Sequence, residues 1–141
     1  MKPQPPAVLD SSALVAWVFR EKGADVVDEL LPDAATTAAN LAEVTYVCLK
    51  RGYTRPPREL VQDLVALGLS VEPATADEGA RAGHLVHESR RDKQQYGGRT
   101  LALGDALCIA LAERLHRPLV TGDTLWKDME DRFTVQVHLI R

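Results

Sequence analysis

Short apolar segments with the character of β-strands alternate with helical segments along the chain. Five segments have strand character: residues 7–10, 34–37, 69–73, 118–121 and 135–140. Apolar residues recur every three or four positions in the intervals, which indicates helices at residues 13–19, 24–31, 38–51, 58–67, 76–91 and from 104–105 onward. Strands that alternate with helices in this way predict an α/β fold, with a mainly parallel sheet covered by helices on both faces.

Size and composition are those of an ordinary globular chain. With 141 residues we expect a single domain over residues 1–141, in which the proline-rich residues 1–6 form a short flexible lead-in. No apolar run approaches the ~20 residues of a membrane span, and the start lacks the apolar core of a secretory signal. Cys48 and Cys108 lie among apolar residues, which favours two buried thiols in a reducing compartment over a disulfide or metal pair. We therefore expect a cytoplasmic protein without a membrane segment.

The overall charge gives no general sign of nucleic-acid binding. The formal net charge is −3, and basic residues cluster only locally, within residues 50–58 and 90–93 and at Arg99. Such clusters are usually solvated helix ends and loops, so they indicate little by themselves.

Four acidic residues stand in apolar surroundings at separate points of the chain: Asp10, Glu43, Asp105 and Asp123. An isolated ionised carboxylate is costly to bury, so buried carboxylates are usually paired or bind a metal ion. Asp10 ends the first strand and Asp123 follows the strand at 118–121, and the carboxyl ends of parallel strands share one edge of a sheet. We expect the four acids to meet there, and oxygen ligands without Cys or His favour Mg²⁺ or Mn²⁺.

Local helix capping is an alternative explanation for part of this set. Asp105 starts a predicted helix, where the free amides and the helix dipole favour an anion, and Glu43 lies near the start of another. The apolar neighbours of Glu43 argue against an exposed position. Ser11 or Ser12 is the expected cap of the first helix. Asp10 is the strongest site candidate, because a carboxylate at the end of a strand gains no such capping role.

Other catalytic arrangements find little support. The four histidines have no metal-ligand spacing with the acids, and neither a Ser-His-Asp order nor a glycine-rich phosphate loop occurs. An aspartyl-phosphate phosphatase or phosphotransfer domain is a less favoured alternative. Haloacid-dehalogenase-like enzymes carry a second aspartate two residues after the first, and Ser12 occupies that position.

Four motifs taken together resemble a PIN-domain ribonuclease, specifically the VapC-type toxins of type II toxin–antitoxin pairs. They are VLDSSAL at residues 8–14, LAEV at 41–44, LGDALCIALA at 103–112 and LVTGD at 119–123. Their order and spacing in so short a chain are more specific than any one motif. Members often carry Phe soon after the last aspartate, where this chain has Trp126, for which we expect a core position.

The resemblance implies a three-layer α/β/α sandwich, a homodimer, a cognate antitoxin and an RNA substrate. It implies an endoribonuclease that depends on Mg²⁺ or Mn²⁺ and cleaves phosphodiester bonds with a metal-activated water. By the same resemblance, Asp10, Glu43, Asp105 and Asp123 become the catalytic and metal-binding acids, and Thr121 and Ser11 become supporting hydroxyls. The main alternative is a PIN-like module that binds a partner or dimerises without catalysis.

Overall fold

A computed structural model of the chain describes residues 6–141. The predicted flexible lead-in therefore lies outside the described residues, except for Pro6, which is exposed at a bend. The sheet and helices begin immediately after it.

Within residues 6–141, five short parallel strands form one sheet in the order β3-β2-β1-β4-β5. Their bounds are β1 Val8–Leu9, β2 Ala35–Thr37, β3 Ser70–Glu72, β4 Leu119–Thr121 and β5 Val137–Leu139. The first strand lies between β2 and β4, with Val8 opposite both Ala35 and Leu119. The predicted strands are confirmed, each within a few residues of its expected bounds.

Seven α-helices connect or follow the strands within the described residues. They are α1 Ser11–Val18, α2 Ala24–Leu30, α3 Ala38–Lys50, α4 Pro57–Ala66, α5 Ala76–Arg91, α6 Leu103–Leu115 and α7 Thr124–Asp128. Short 3-10 turns occupy Leu31–Asp33, Lys93–Tyr96 and Glu130–Arg132. Thr37 and Thr75 cap α3 and α5, because each hydroxyl accepts a hydrogen bond from a backbone amide of the first turn.

Two hydrophobic cores lie on opposite faces of the sheet. Successive strand residues point to opposite faces, so Leu9 of β1 packs with α1–α4 whereas Val8 packs with α5 and α6. Likewise Val120 joins the first core and Leu119 the second. Helices on both faces of a parallel sheet make the three-layer α/β/α sandwich that the resemblance implied.

Several buried side chains agree with their sequence interpretation. Cys48 and Cys108 are both buried free thiols, and Trp126 is fully buried in the second core. The segment at 92–100 connects α5 to α6. It contains the Lys93–Tyr96 turn, whose Tyr96 side chain is only 3% exposed, and it ends where the Ser89 hydroxyl accepts the Leu101 amide at 3.0 Å.

None of the helices within residues 6–141 is both long enough and apolar enough to cross a membrane.

Candidate active site

The pairing of β1 with β4 places Asp10 beside Thr121. The Asp10 amide donates to the Val120 carbonyl at 3.2 Å, one step beyond the Leu9–Val120 pair of the sheet. Both side chains are buried at the carboxyl edge of the sheet, with Asp10 only 2% exposed. Tertiary structure thus brings together two residues that are far apart in sequence.

Hydrogen bonds engage both oxygens of the Asp10 carboxylate. Oδ1 accepts from the Ser12 hydroxyl at 2.7 Å and from the Ala13 amide at 2.9 Å. Oδ2 accepts from the Thr121 hydroxyl at 2.6 Å and from Ser12 at 2.9 Å. The carboxylate therefore has a fixed orientation.

A second set of hydrogen bonds ties these hydroxyls to the segment after β4. The Ser12 Oγ accepts the Gly122 amide at 2.8 Å, and the Thr121 Oγ1 accepts the Asp123 amide at 3.0 Å. The start of α1 and the end of β4 are thus joined by one network around Asp10.

The expectation that Asp10 has no structural role was wrong. Asp10 is the N-cap of α1, since its side chain accepts from the Ala13 amide, and neither Ser11 nor Ser12 is the cap. Only Asp10 separates the end of β1 at Leu9 from the start of α1 at Ser11, so this residue occupies the capping position. Helix capping accordingly explains part of the burial of this acid.

Asp105 lies in the first turn of α6, where its carboxylate accepts the Ala102 amide at 3.0 Å. Burial raises the pKa of Asp105 from its ordinary value of 3.8 to about 6, and the charges of Glu43 and Asp123 add to the increase. Burial also raises the pKa of Asp10 to about 6, with a smaller contribution from the charge of Asp105, against the lowering effect of its hydrogen bonds. Because these carboxyls affect one another electrostatically, the four acids occupy one region of the molecule.

The other two acids are more accessible than the sequence indicated. Asp123 is half-buried and caps α7, since its Oδ1 accepts the Leu125 amide at 2.9 Å. Glu43 lies on an exposed face of α3, contrary to the expectation drawn from its apolar neighbours. Those neighbours, Leu41 and Val44, point into the first core, while Glu43 falls on the other side of the helix.

The acids are neighbours but do not form a compact cage. Within residues 6–141, no three Asp, Glu, His or Cys side chains stand close enough together to hold a metal ion in the present arrangement. The donor set nevertheless fits a hard divalent cation, because it consists of carboxylate oxygens whose mutual repulsion a cation relieves. Such a cation usually keeps several water ligands and needs only one or two carboxylates from the protein.

Two polar residues that sequence reasoning did not assign to the site contribute to it. The Ser12 hydroxyl, rather than that of the predicted Ser11, binds Asp10, while the Ser11 amide donates to Asn40 Oδ1 at 2.9 Å. Asn40 also donates to the Thr37 hydroxyl at 2.7 Å. In the sequence, Ser12 is recognisable as a hydroxyl residue two positions after Asp10. Asn40 is recognisable as a carboxamide residue three positions after Thr37, the cap of α3.

The thiol of Cys108 lies beneath the site. Its Sγ is 3.9 Å from the Leu9 carbonyl oxygen, and burial followed by the charges of Asp10 and Asp105 raises its pKa well above its ordinary value. A fully buried neutral thiol is a poor nucleophile and a poor metal ligand.

Comparisons with known proteins agree with this architecture. The model of the PIN domain family matches residues 7–131. Ribonuclease VapC42 of Mycobacterium tuberculosis is 31% identical over 118 residues, which cover 80% of this chain and 87% of that protein. A VapC ribonuclease of Mycobacterium bovis matches with the same identity and coverage.

Solved structures show the same fold at lower identity. A toxin–antitoxin complex from Klebsiella pneumoniae superposes with a TM-score of 0.70 at 19% identity, covering 96% of this chain and 98% of that chain. Mycobacterium tuberculosis VapC20, described as a toxin that cleaves the sarcin–ricin loop, gives 0.68 at 19% identity, covering 91% and 96%. From the match over residues 7–131 and the identity to the VapC ribonucleases, the chain belongs to the PIN-domain family, and within it to the VapC proteins.

Proposed function

We propose that this protein is the endoribonuclease toxin of a type II toxin–antitoxin pair and that it depends on a divalent cation. The observation that carries the proposal is the buried Asp10 carboxylate, fixed by Ser12 and Thr121 at the carboxyl edge of the sheet and electrostatically coupled to Asp105. The ribonuclease activity of VapC relatives that are 31% identical over most of their length supports the choice of reaction.

The cation would be held by the carboxylates of Asp10, Glu43, Asp105 and Asp123, with Mg²⁺ or Mn²⁺ as the preferred ion. When bound, such an ion supplies a nucleophile from water and stabilises charge on the phosphate oxygens. No histidine or cysteine is needed for this chemistry.

The residues around the acids have distinct parts in the proposal. Thr121 and Ser12 orient the Asp10 carboxylate through their hydroxyls. Asp105, with a pKa of about 6, would be ionised on cation binding because the positive charge offsets the cost of its burial. We retain Ser11 as a supporting residue, since it is buried next to this network and its amide is fixed by Asn40.

The proposed partners are an RNA substrate, a cognate antitoxin and a second copy of the chain in a homodimer. The related VapBC structures from Rickettsia felis and Salmonella typhimurium, described as bound to DNA, support an antitoxin partner. We place the activity in the cytoplasm, because that is where the proposed RNA substrate is found.

An aspartyl-phosphate mechanism has less support. Ser12 stands two residues after Asp10, where haloacid-dehalogenase-like enzymes carry a second aspartate, and its hydroxyl donates to the Asp10 carboxylate instead.

The test compares the purified, antitoxin-free protein with Asp10→Asn on labelled RNA in the presence of Mn²⁺, Mg²⁺ or EDTA. We expect cleavage by the wild type with either ion, none in EDTA, and a loss of at least about a hundredfold in Asp10→Asn. Asp33→Asn is the matched control, because Asp33 is exposed just before β2, at the opposite edge of the sheet. Unchanged cleavage by Asp10→Asn would exclude the assignment. RNA binding without cleavage at any concentration of either ion would favour the binding module.

A further inference from the structure

A groove beside the acidic residues is lined by two arginines. We call it the arginine groove; it has a volume of about 390 Å³, and its lining includes Ser11, Ser12, Glu43, Arg51 and Arg141. Ser12 is also the residue that hydrogen-bonds Asp10. The groove is therefore directly adjacent to the Asp10 carboxylate, with Ser12 between them.

Arg141 lies over the segment that carries the last acid. Its Cζ and Nη2 lie 2.7 Å, and its Nε 3.0 Å, from the position that a Cβ on Gly122 would occupy, so the guanidinium packs directly on the backbone between Thr121 and Asp123. Within the described part of the chain, no carboxylate forms an ion pair with Arg141. Most arginines elsewhere do form one, for example Arg81 with Glu113 at 2.8 Å.

Arg51 lies at another part of the groove, where its guanidinium contacts an acid and an aromatic ring. Its Nη2 donates to Glu21 at 2.9 Å, and its guanidinium carbon lies 4.0 Å from the centre of the Phe19 ring. A guanidinium has five N–H donors, so this contact leaves others for an anion. Stacking on Phe19 fixes the plane of the group, which reduces the entropy lost when it binds a phosphate.

The positive charges of Arg51 and Arg141 would offset the repulsion between the acidic site and an RNA strand. The chain has a net charge of −3, and four acids surround the proposed site, so a polyanionic strand would be repelled from it. Arginine forms bidentate hydrogen bonds with phosphate, and two arginines in one groove next to the acids would hold a backbone there.

We propose that the arginine groove binds the RNA backbone next to the cleavage position, with Arg141 contacting the phosphate adjacent to the scissile one and Arg51 contacting a phosphate further along the strand. The inference rests on the proposed endoribonuclease function and names the substrate-binding surface of the same site.

The test measures binding of a short fluorescein-labelled single-stranded RNA of random sequence by fluorescence anisotropy in EDTA, where no cleavage occurs. The variants are Arg141→Gln, Arg141→Lys and Arg51→Gln. Arg90→Gln is the matched control, since Arg90 is an exposed arginine of α5 on the opposite face of the sheet. Thermal unfolding of each variant checks that it is folded, with particular attention to Arg51→Gln, which loses its packing on Phe19.

We expect Arg141→Gln to weaken binding about five- to tenfold and to reduce the slope of log K against log salt by about 0.7, the share of one phosphate contact on a single strand. Arg141→Lys should recover most of the salt slope because it keeps the charge. Arg51→Gln should act in the same direction as Arg141→Gln, and Arg90→Gln should change the affinity less than about twofold. Equal effects of Arg141→Gln and Arg90→Gln would overturn the inference.

A parallel cleavage assay with Mn²⁺ separates this inference from the proposed function. Cleavage by the wild type together with normal binding by Arg141→Gln would overturn the groove alone. A specific binding defect in Arg141→Gln together with an inactive wild type would support the groove as an RNA site and reject the nuclease. A wild type that neither binds RNA nor cleaves it would reject both.

Discussion

At the scale of single residues, Asp10 combines a structural role with the proposed catalytic one. The donors to its carboxylate come from the start of α1 and from the end of β4, so the side chain caps a helix and joins two elements at once. The same burial that fixes its position raises its pKa to about 6. A carboxylate that is costly to ionise without a cation reduces the stability of the metal-free protein. Functional sites commonly reduce stability in this way.

The raised pKa of Asp10 predicts a pH-dependent stability in EDTA. The folded protein holds this proton up to a pKa of about 6, whereas the unfolded chain releases it near 3.8, so this contribution to stability is fully present below about pH 4 and is lost as the pH rises through 6. Asparagine keeps the size and the capping ability of the residue. We therefore expect Asp10→Asn to be more stable than the wild type by about 2 kcal/mol at pH 7.5, with little difference at pH 4.

Urea unfolding of both proteins across this pH range measures the effect. The comparison isolates Asp10, because both proteins share the other acids, whether their pKa is raised to about 6, as for Asp105, or lowered to about 2, as for Asp92. A stability difference that does not change with pH would show that ionisation of Asp10 is not costly in the folded state.

At the scale of elements, the connection from α4 to β3 depends on close contact between two turns. Gly68 follows α4 with a φ of +112°, and a Cβ at this position would lie 2.2 Å from the carbonyl oxygen of Pro32. Pro32 belongs to the 3-10 turn before β2, the strand beside β3. The absence of a side chain at residue 68 thus allows the segments leading into β2 and β3 to meet.

Alanine substitutions at two glycines distinguish the effect of this contact on stability from the effect of backbone strain alone. Gly68→Ala should destabilise the protein by at least about 3 kcal/mol, because a left-handed conformation and a backbone collision act together. Gly52→Ala should cost about 1 kcal/mol, because Gly52 also has a positive φ of +86° but no atom lies within 4 Å of the position that its Cβ would occupy. Chemical denaturation of the two variants provides the comparison, and equal losses would mean that the Pro32 contact has no effect.

At the scale of the whole molecule, the residues of the proposed site come from elements on both faces of the sheet. Asp10 and Asp123 follow adjacent strands, Glu43 comes from α3 on one face, and Asp105 comes from α6 on the other. A cation bound by these residues would link both layers of helices through the edge of the sheet. Its binding free energy would consequently appear as global stability.

Mn²⁺ should therefore raise the thermal stability of the wild type. A ligand present at a hundred times its dissociation constant and bound only by the folded protein adds about 2.7 kcal/mol, which corresponds to a rise in Tm of several degrees. We expect this rise in the wild type and in Asp33→Asn, and its loss in Asp10→Asn. Scanning calorimetry with Mn²⁺ and with EDTA measures it, and an equal rise in Asp10→Asn would place the ion elsewhere.

Much of the fold follows from local sequence patterns. The alternation of strands and helices, the burial of Cys48 and Cys108 and the core position of Trp126 are all confirmed. These features depend on residues within a few positions of one another, so sequence periodicity and the apolar character of neighbouring residues are sufficient to predict them. The pairing of β1 with β4 does not follow from local patterns, because strand order depends on how segments distant in sequence pack.

The sequence by itself determined the residue types of the candidate site, and the tertiary structure decided their environment. Each helix position turns about 100° from the last, so a small difference in helix phase exposes Glu43 while its neighbours Leu41 and Val44 are buried. For the same reason Ser12 rather than Ser11 reaches Asp10. The contacts of Asp10 with Thr121 and of Arg141 with Gly122 join segments distant in sequence, and only the packed sheet brings them together.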